Sequence, residues 1–253
     1  MLFLQTSGTG PNLVLLHGFC ENSTCFNEQV FLLKDFFSVT VIDLPGVGKS
    51  PYMENLSIEK MADAVHHTLQ ENGIQEMVMI GHSMGGYVTL SYAKKYEETL
   101  KGFGLLHSTA NPDNEERKLK REQAMAVISE KGHEHYVRQF IPPLFAPGYA
   151  NKAKLDFMVE EGLKTSRNAV LGQILSMKQR PSSREFIQET NLPVFFMAGK
   201  MDAIIPEKDM IEQAAMVKQG YINVLENSAH MGMIEEPDAC ATAIREFTTT
   251  CFA

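Results

Sequence analysis

Apolar residues along the chain fall in short, nearly continuous runs, and most runs are followed by a stretch with helical spacing. Leu13 to Leu16, Val39 to Ile42, Met77 to Ile80, Gly102 to Leu106, Pro193 to Ala198 and Tyr221 to Leu225 read as strands buried on both faces. Leu2 to Gln5 reads as a short edge strand, and Ser7 to Asn12 is turn chemistry. Phe26 to Leu33, a segment capped by Ser57 and running to about Gln70, the stretch after Gly86, and Asp238 to Phe247 have helical spacing. Strands alternating with helices in this way predict an α/β protein with a mostly parallel central sheet flanked by helices.

The alternation lapses between Asn111 and Glu189, where no buried strand is predicted. Charged helical segments such as Asn114 to Lys131 are broken there by Ile141-Pro142-Pro143 and Ala146-Pro147-Gly148. The expected organisation is one core built from residues 1–110 and 187–253, with residues 111–186 inserted as a helical cap, or lid, over a site.

At 253 residues the chain is long enough for a full core, and its 44% hydrophobic and 21% charged content is ordinary for a globular protein. A net charge of −8 argues against nucleic-acid and anionic-membrane partners. No apolar run reaches the ~18 residues of a membrane span. Residues 1–16 show no signal-peptide pattern. Cys20, Cys25, Cys240 and Cys251 have no C-x-x-C spacing, so a reducing cytoplasm is the expected setting. Composition leaves oligomeric state and substrate open.

The chemistry concentrates in Gly81-His82-Ser83-Met84-Gly85, which follows a strand and opens a helix. That context makes it a nucleophile elbow: the turn strains the Ser83 backbone, Gly81 and Gly85 avoid collisions, and the hydroxyl stands clear of the sheet. A serine needs a base, and the base needs an orienting acid. Asp202 follows the strand ending at Gly199, and His230 lies in the loop after the last strand. The order Ser83, Asp202, His230 is that of an α/β-hydrolase triad. Backbone N–H groups of Met84 and Phe19 are the expected oxyanion donors. His17, Gly18, Cys20, His82 and Met231 are expected to border the substrate, with His17 holding its loop by hydrogen bonds and not acting as a second base. Activity is expected to fall below about pH 6.5, because a protonated imidazole is no base.

His17-Gly18-Phe19, Asp43-Leu44-Pro45-Gly46-Val47-Gly48-Lys49-Ser50, Gly81 to Gly86, Gly199-Lys200-Met201-Asp202 and the His230 loop together resemble the α/β-hydrolase fold family. The resemblance is to its small capped esterases and carbon–carbon-bond hydrolases, and covers residues 12–108 and 192–250; the cap matches no motif. It implies a Ser-Asp-His triad and no cofactor. Ser83 stands where dehalogenases and epoxide hydrolases carry Asp. Gly46-Val47-Gly48-Lys49-Ser50 is no phosphate loop, since position 43 is Asp and not Gly. His66-His67 and His133-x-His135 belong to no metal-ligand set, so no metal is expected. Met84, Met201, Met231 and Met233 are candidates for an apolar substrate wall.

The leading expectation is a serine hydrolase of a small carboxylic ester or related acyl compound. The alternative keeps the triad for carbon–carbon cleavage or a menaquinone-pathway type of elimination, which calls for basic residues facing the pocket. Arg117, Lys118, Arg121, Arg138 and Arg167 are available in the cap for that. A third reading is a ligand-binding relative without catalysis.

Overall fold

The computed structural model describes all residues 1–253. It contains β1 (Leu4–Ser7), β2 (Asn12–Leu16), α1 (Asn27–Leu33), β3 (Ser38–Ile42), α2 (Ile58–Glu71), β4 (Met77–His82), α3 (Met84–Lys95) and β5 (Leu100–Leu106). Five helices follow: α4 (Glu115–Lys131), α5 (His133–Phe140), α6 (Lys152–Leu163), α7 (Arg167–Gln179) and α8 (Arg184–Glu189). The chain closes with β6 (Val194–Gly199), α9 (Glu207–Ala214), β7 (Gly220–Leu225), α10 (Gly232–Glu235) and α11 (Pro237–Phe252).

The seven strands form one sheet in the order β1-β3-β2-β4-β5-β6-β7, with β1 antiparallel and every other pairing parallel. β4 and β6 are buried along their whole lengths, which is why they read as unbroken apolar runs. Ser57 caps α2 by accepting the Lys60 N–H at 3.2 Å. β2 and β4 are neighbours although β3 lies between them in sequence. Chain direction across the sheet therefore reverses between β2 and β4, and such a switch point opens a crevice at the C-terminal strand ends.

Of the helices between β5 and β6, the sequence singles out by its bounds only the charged segment that forms α4. α7 buries Ala169, Val170, Gln173, Ile174 and Met177, but Gly172, Gln173 and Ser176 interrupt that face and weaken its signal. α8 runs across the boundary expected at residue 186. Its Phe186 ring stacks on Phe103 of β5 at 5.9 Å, and Ile187 is buried, so this helix packs against the core.

The elbow between β4 and α3 is tightly packed in the sheet's crevice. Ser83 has φ +49° and ψ −114°, a left-handed backbone that a residue with a Cβ adopts at a cost of about 1–3 kcal/mol. A Cβ on Gly81 would stand 2.2 Å from the Gly85 carbonyl, and one on Gly85 would stand 2.2 Å from the Leu16 carbonyl oxygen. Both obstacles are backbone, which cannot swing aside. Gly85→Ala is expected to lower the urea midpoint by the equivalent of about 2–3 kcal/mol, the range for forcing extra volume into a packed core. A midpoint within error of wild type would show that the turn relaxes freely.

Candidate active site

The C-terminal ends of β4, β5, β6 and β7 deliver Ser83, His107, the Asp202 turn and the His230 loop to one edge of the sheet. Ser83 donates its N–H to the Leu106 carbonyl at 2.9 Å, and its own carbonyl accepts the Ser108 hydroxyl at 2.7 Å. These bonds fix the elbow's backbone and leave its side chain free. The Ser83 Oγ lies 2.9 Å from His230 Nε2, and His230 Nδ1 lies 2.8 Å from Asp202 Oδ2. A carboxylate only accepts, so Nδ1 carries the proton and Nε2 accepts from the serine hydroxyl.

Asp202 is buried with its carboxylate surrounded by donors. Its Oδ1 accepts the Ile204 and Ile205 N–H groups at 2.8 and 2.9 Å. Oδ2 faces His230 and, at 3.4 Å, Nδ1 of His107. Burial opposes the charge, yet the two histidines and their hydrogen bonds hold this carboxyl far below the usual carboxylate range. His107, fully buried, is driven down to about 4 by loss of solvent, so it stays neutral beside Asp202.

The His230 loop is anchored from several sides. Glu235 accepts the N–H groups of Ala229 and Met231 at 2.9 and 3.1 Å, and that of Ala146 at 2.6 Å. Burial pushes the Glu235 carboxyl above its ordinary value. The His230 N–H donates to Leu144 in the inserted segment at 2.9 Å. Phe19 and Met84 flank Ser83 in the crevice. Met84 is the first residue of α3, so its N–H has no acceptor within the helix. Neither amide donates to a loop carbonyl or to a side chain.

A cavity of about 550 Å³ opens over Ser83 and His230. One wall is apolar, formed by Phe19, Tyr87, Tyr136, Phe140, Ile174 and Met177. The other comes from α4 and its cap: Asn114, Glu116, Arg117, Lys120 and Arg121. Of the basic residues that the sequence offers for this role, Arg117 and Arg121 face the cavity, while Lys118, Arg138 and Arg167 do not; Lys120, which was not among them, faces it too. Glu116 and Lys120 pair at 2.8 Å, and Asp113 is shared between Arg121 at 2.6 Å and Arg180 at 2.8 Å. Arg180 also stacks over Tyr87 at 3.8 Å. Arg117 donates to the Ile204 carbonyl and meets no carboxylate.

The five residues expected to border the substrate do not line the cavity. His17 is fully buried, accepting the Leu44 N–H at Nε2 (2.8 Å) and donating from Nδ1 to the Gly18 carbonyl (2.8 Å). Gly18 is buried and its N–H is held by Glu21 at 2.9 Å. The Cys20 side chain is completely buried at a left-handed turn with φ +58°. His82 points away from Ser83 because successive strand residues face opposite sides, and it bonds to Glu21 and the His230 carbonyl. Met231 is buried below its loop. Met84 and Met233 are likewise buried and Met201 faces solvent, so Met177 is the methionine of the apolar wall. Of the other histidines, His66 stacks flat on Tyr96 at 3.6 Å and His133 lies beside Glu134. Glu21, His107 and Glu235 carry no local motif; only the three-dimensional packing brings them to the site.

The α/β-hydrolase fold family model matches residues 11–237, and the chain belongs to that family. A pimeloyl-[acyl-carrier protein] methyl ester esterase of Methylococcus capsulatus is 29% identical over 97% of this chain and 98% of its own. A thermophilic esterase from Thermogutta terrifontis, solved with malate bound, superposes with a TM-score of 0.95 at 28% identity, over 100% of this chain and 94% of that one. MenH from S. aureus has a TM-score of 0.86 at 19% identity, covering 100% and 99%, a likeness of fold alone.

Asp113 gives this region a pH signature. Burial would raise its carboxyl, but Arg121 and Arg180 hold it below the ordinary value. A depressed folded-state pKa stabilises above the unfolded value, about 3.9, and that stabilisation disappears as pH falls through the folded value. Asp113→Asn is therefore expected to cost on the order of 3 kcal/mol at neutral pH, since it leaves Arg180 buried and unpaired. The gap in urea midpoint between the two proteins should close as pH drops below about 4. A gap independent of pH would remove the charge pairing as its cause.

Proposed function

We propose that the protein is a serine hydrolase of carboxylic esters. The single observation that carries this is the continuous chain of hydrogen bonds from Asp202 through His230 to a hydroxyl on a strained elbow. In this reading Ser83 attacks the ester carbonyl while His230 Nε2 takes its proton, and Asp202 steadies the imidazolium. The Phe19 and Met84 amides receive the oxyanion, each worth about 3 kcal/mol of transition-state stabilisation. His230 then returns the proton to the leaving alcohol, and water releases the acyl group through the same base. Residues 111–186 act as the cap that walls the pocket. No helix is long and apolar enough to cross a membrane, and four free cysteines support a reducing, cytoplasmic setting.

The cavity's charge narrows the substrate. Asp113 offsets only one of Arg121 and Arg180, and Arg117 is unbalanced, so the α4 wall is cationic. An ester of a small alcohol on an acyl chain with an anionic far end fits an apolar wall facing such a wall. The name of the Methylococcus relative, a pimeloyl-[acyl-carrier protein] methyl ester esterase, likewise couples a small-alcohol ester to an acyl chain. The same cationic wall is what the carbon–carbon hydrolase or lyase alternative asks for, so a vinylogous diketone with a carboxylate belongs in the same substrate panel.

A fluorophosphonate probe is expected to label the wild type stoichiometrically and Ser83→Ala not at all; labelling of the variant would end the proposal. Arg117→Met is expected to raise KM for a p-nitrophenyl ester bearing a terminal carboxylate by about tenfold, the effect of losing one charged hydrogen bond. KM for the uncharged ester should hold. An equal change for both esters would exclude recognition of an anion there.

A further inference from the structure

Behind the Ser83–His230–Asp202 chain lies a second acid–histidine pair. His82 Nδ1 is 3.0 Å from Glu21 Oε2, and both side chains are cut off from solvent. His82 Nε2 is 2.8 Å from the His230 carbonyl oxygen. The same Glu21 oxygen accepts the Gly18 N–H at 2.9 Å, one residue before the proposed oxyanion donor Phe19. Two residues thus connect the oxyanion loop, the residue preceding the nucleophile and the backbone of the base.

The partners fix the protons. A carbonyl oxygen only accepts, so Nε2 must carry hydrogen. Oε2 already accepts from Gly18, and an ionised carboxylate on the other side of Nδ1 is best met by a second N–H. We infer that Glu21 and His82 are a buried carboxylate–imidazolium pair whose two ends hold the oxyanion loop and the His230 carbonyl in register. Both are positioning residues for the ester hydrolysis proposed above, on which this role rests. Burial works against both charges, yet the pairing draws Glu21 below the usual carboxylate range and lifts His82 above the ordinary imidazole value.

The pair also lies close to the ring of the base. The His82 ring centroid is 5.0 Å from that of His230, with Glu21 on the far side. Asp202 and neutral His107 also face both rings, His17 faces His82 from the oxyanion loop, and Glu235 braces the His230 loop.

Glu21→Gln retains the side chain's shape and an oxygen for the place that Gly18 and His82 share but removes the negative charge. A fully buried imidazolium without its counter-ion gives up a proton. Nitrogen-15 NMR of histidine-labelled protein near pH 8, with His82 identified by its loss in His82→Gln, should show two protonated ring nitrogens in wild type and one in Glu21→Gln. A single protonated nitrogen in wild type overturns the ion pair. This readout needs no substrate, so a protein inactive on every ester would sink the proposed function and leave the pair to be judged on its protons.

In kinetics on p-nitrophenyl acetate, Glu21→Ala and His82→Phe should each lower kcat about tenfold or more while KM stays within roughly threefold, as expected for misplacement of reacting groups. His82→Gln, which still offers a donor to the His230 carbonyl, should recover part of kcat. A kcat within twofold of wild type throughout, or Gln variants no better than Ala and Phe at matched thermal stability, would each overturn the positioning role.

Discussion

The architecture of the crevice depends on one close approach, that of the β4–α3 turn to the backbone of β2. Gly85 lies against the Leu16 and His17 carbonyls, and Gly81 against the Gly85 peptide itself, with no room for a methyl group at either contact. Because α3 can press this closely, the hydroxyl of Ser83 is raised at the switch point, with the loop after β2 on one side and the ends of β5 and β6 on the other. The strain stored at Ser83 persists because hydrogen bonds from Leu106 and Ser108 determine its backbone from both directions.

Once those elements converge, four buried histidines meet different surroundings. His17 is neutral, with one nitrogen accepting from Leu44 and the other donating to Gly18, and burial lowers its pKa. His107 is neutral through desolvation; neither of its nitrogens makes a hydrogen bond, and Asp202 Oδ2 lies 3.4 Å from Nδ1. His82 faces two acceptors, which select the cation. His230 has an acceptor on Nδ1 and a hydroxyl on Nε2, the one arrangement of the four that leaves a lone pair directed at a transferable proton. Histidine content alone says nothing of this; the partner at each nitrogen decides it.

Features governed by near neighbours along the chain are legible in the amino-acid sequence. Strand runs such as Met77 to Ile80, the Ser57 cap and the Gly-x-Ser-x-Gly turn are local, and the chain order of Ser83, Asp202 and His230 marks three strand ends on one sheet edge. Adjacency misleads where it is taken for exposure. His82 and Met231 sit beside Ser83 and His230 in sequence, but a side chain next to a site residue faces the opposite side or the core. Glu21 is a lone carboxylate in a loop, and its 61-residue separation from His82 leaves no pattern to read. The inward turn of Arg117 and Arg121 depends on how α4 lies across the sheet, which its mixed charge does not reveal.

That placement of α4 bears on how the pocket opens. The inserted helices are bonded to the loops that carry the base and the acid. Leu144 accepts the His230 N–H, Ala146 donates to the carboxylate that braces the His230 loop, and Arg117 reaches the Ile204 carbonyl, two residues beyond Asp202. Displacing α4 would break the bond to the acid's turn, and displacing the segment around Leu144 would remove one of the bonds that hold the base's loop. A rigid-body movement of these helices clear of the core would therefore break all three bonds. Entry between the apolar wall of α5 and α7 and the cationic wall of α4 leaves all three tethers intact. Side-chain motion of Tyr136, Phe140 and Met177, which carry none of those bonds, is thus the lower-cost route for substrate exchange.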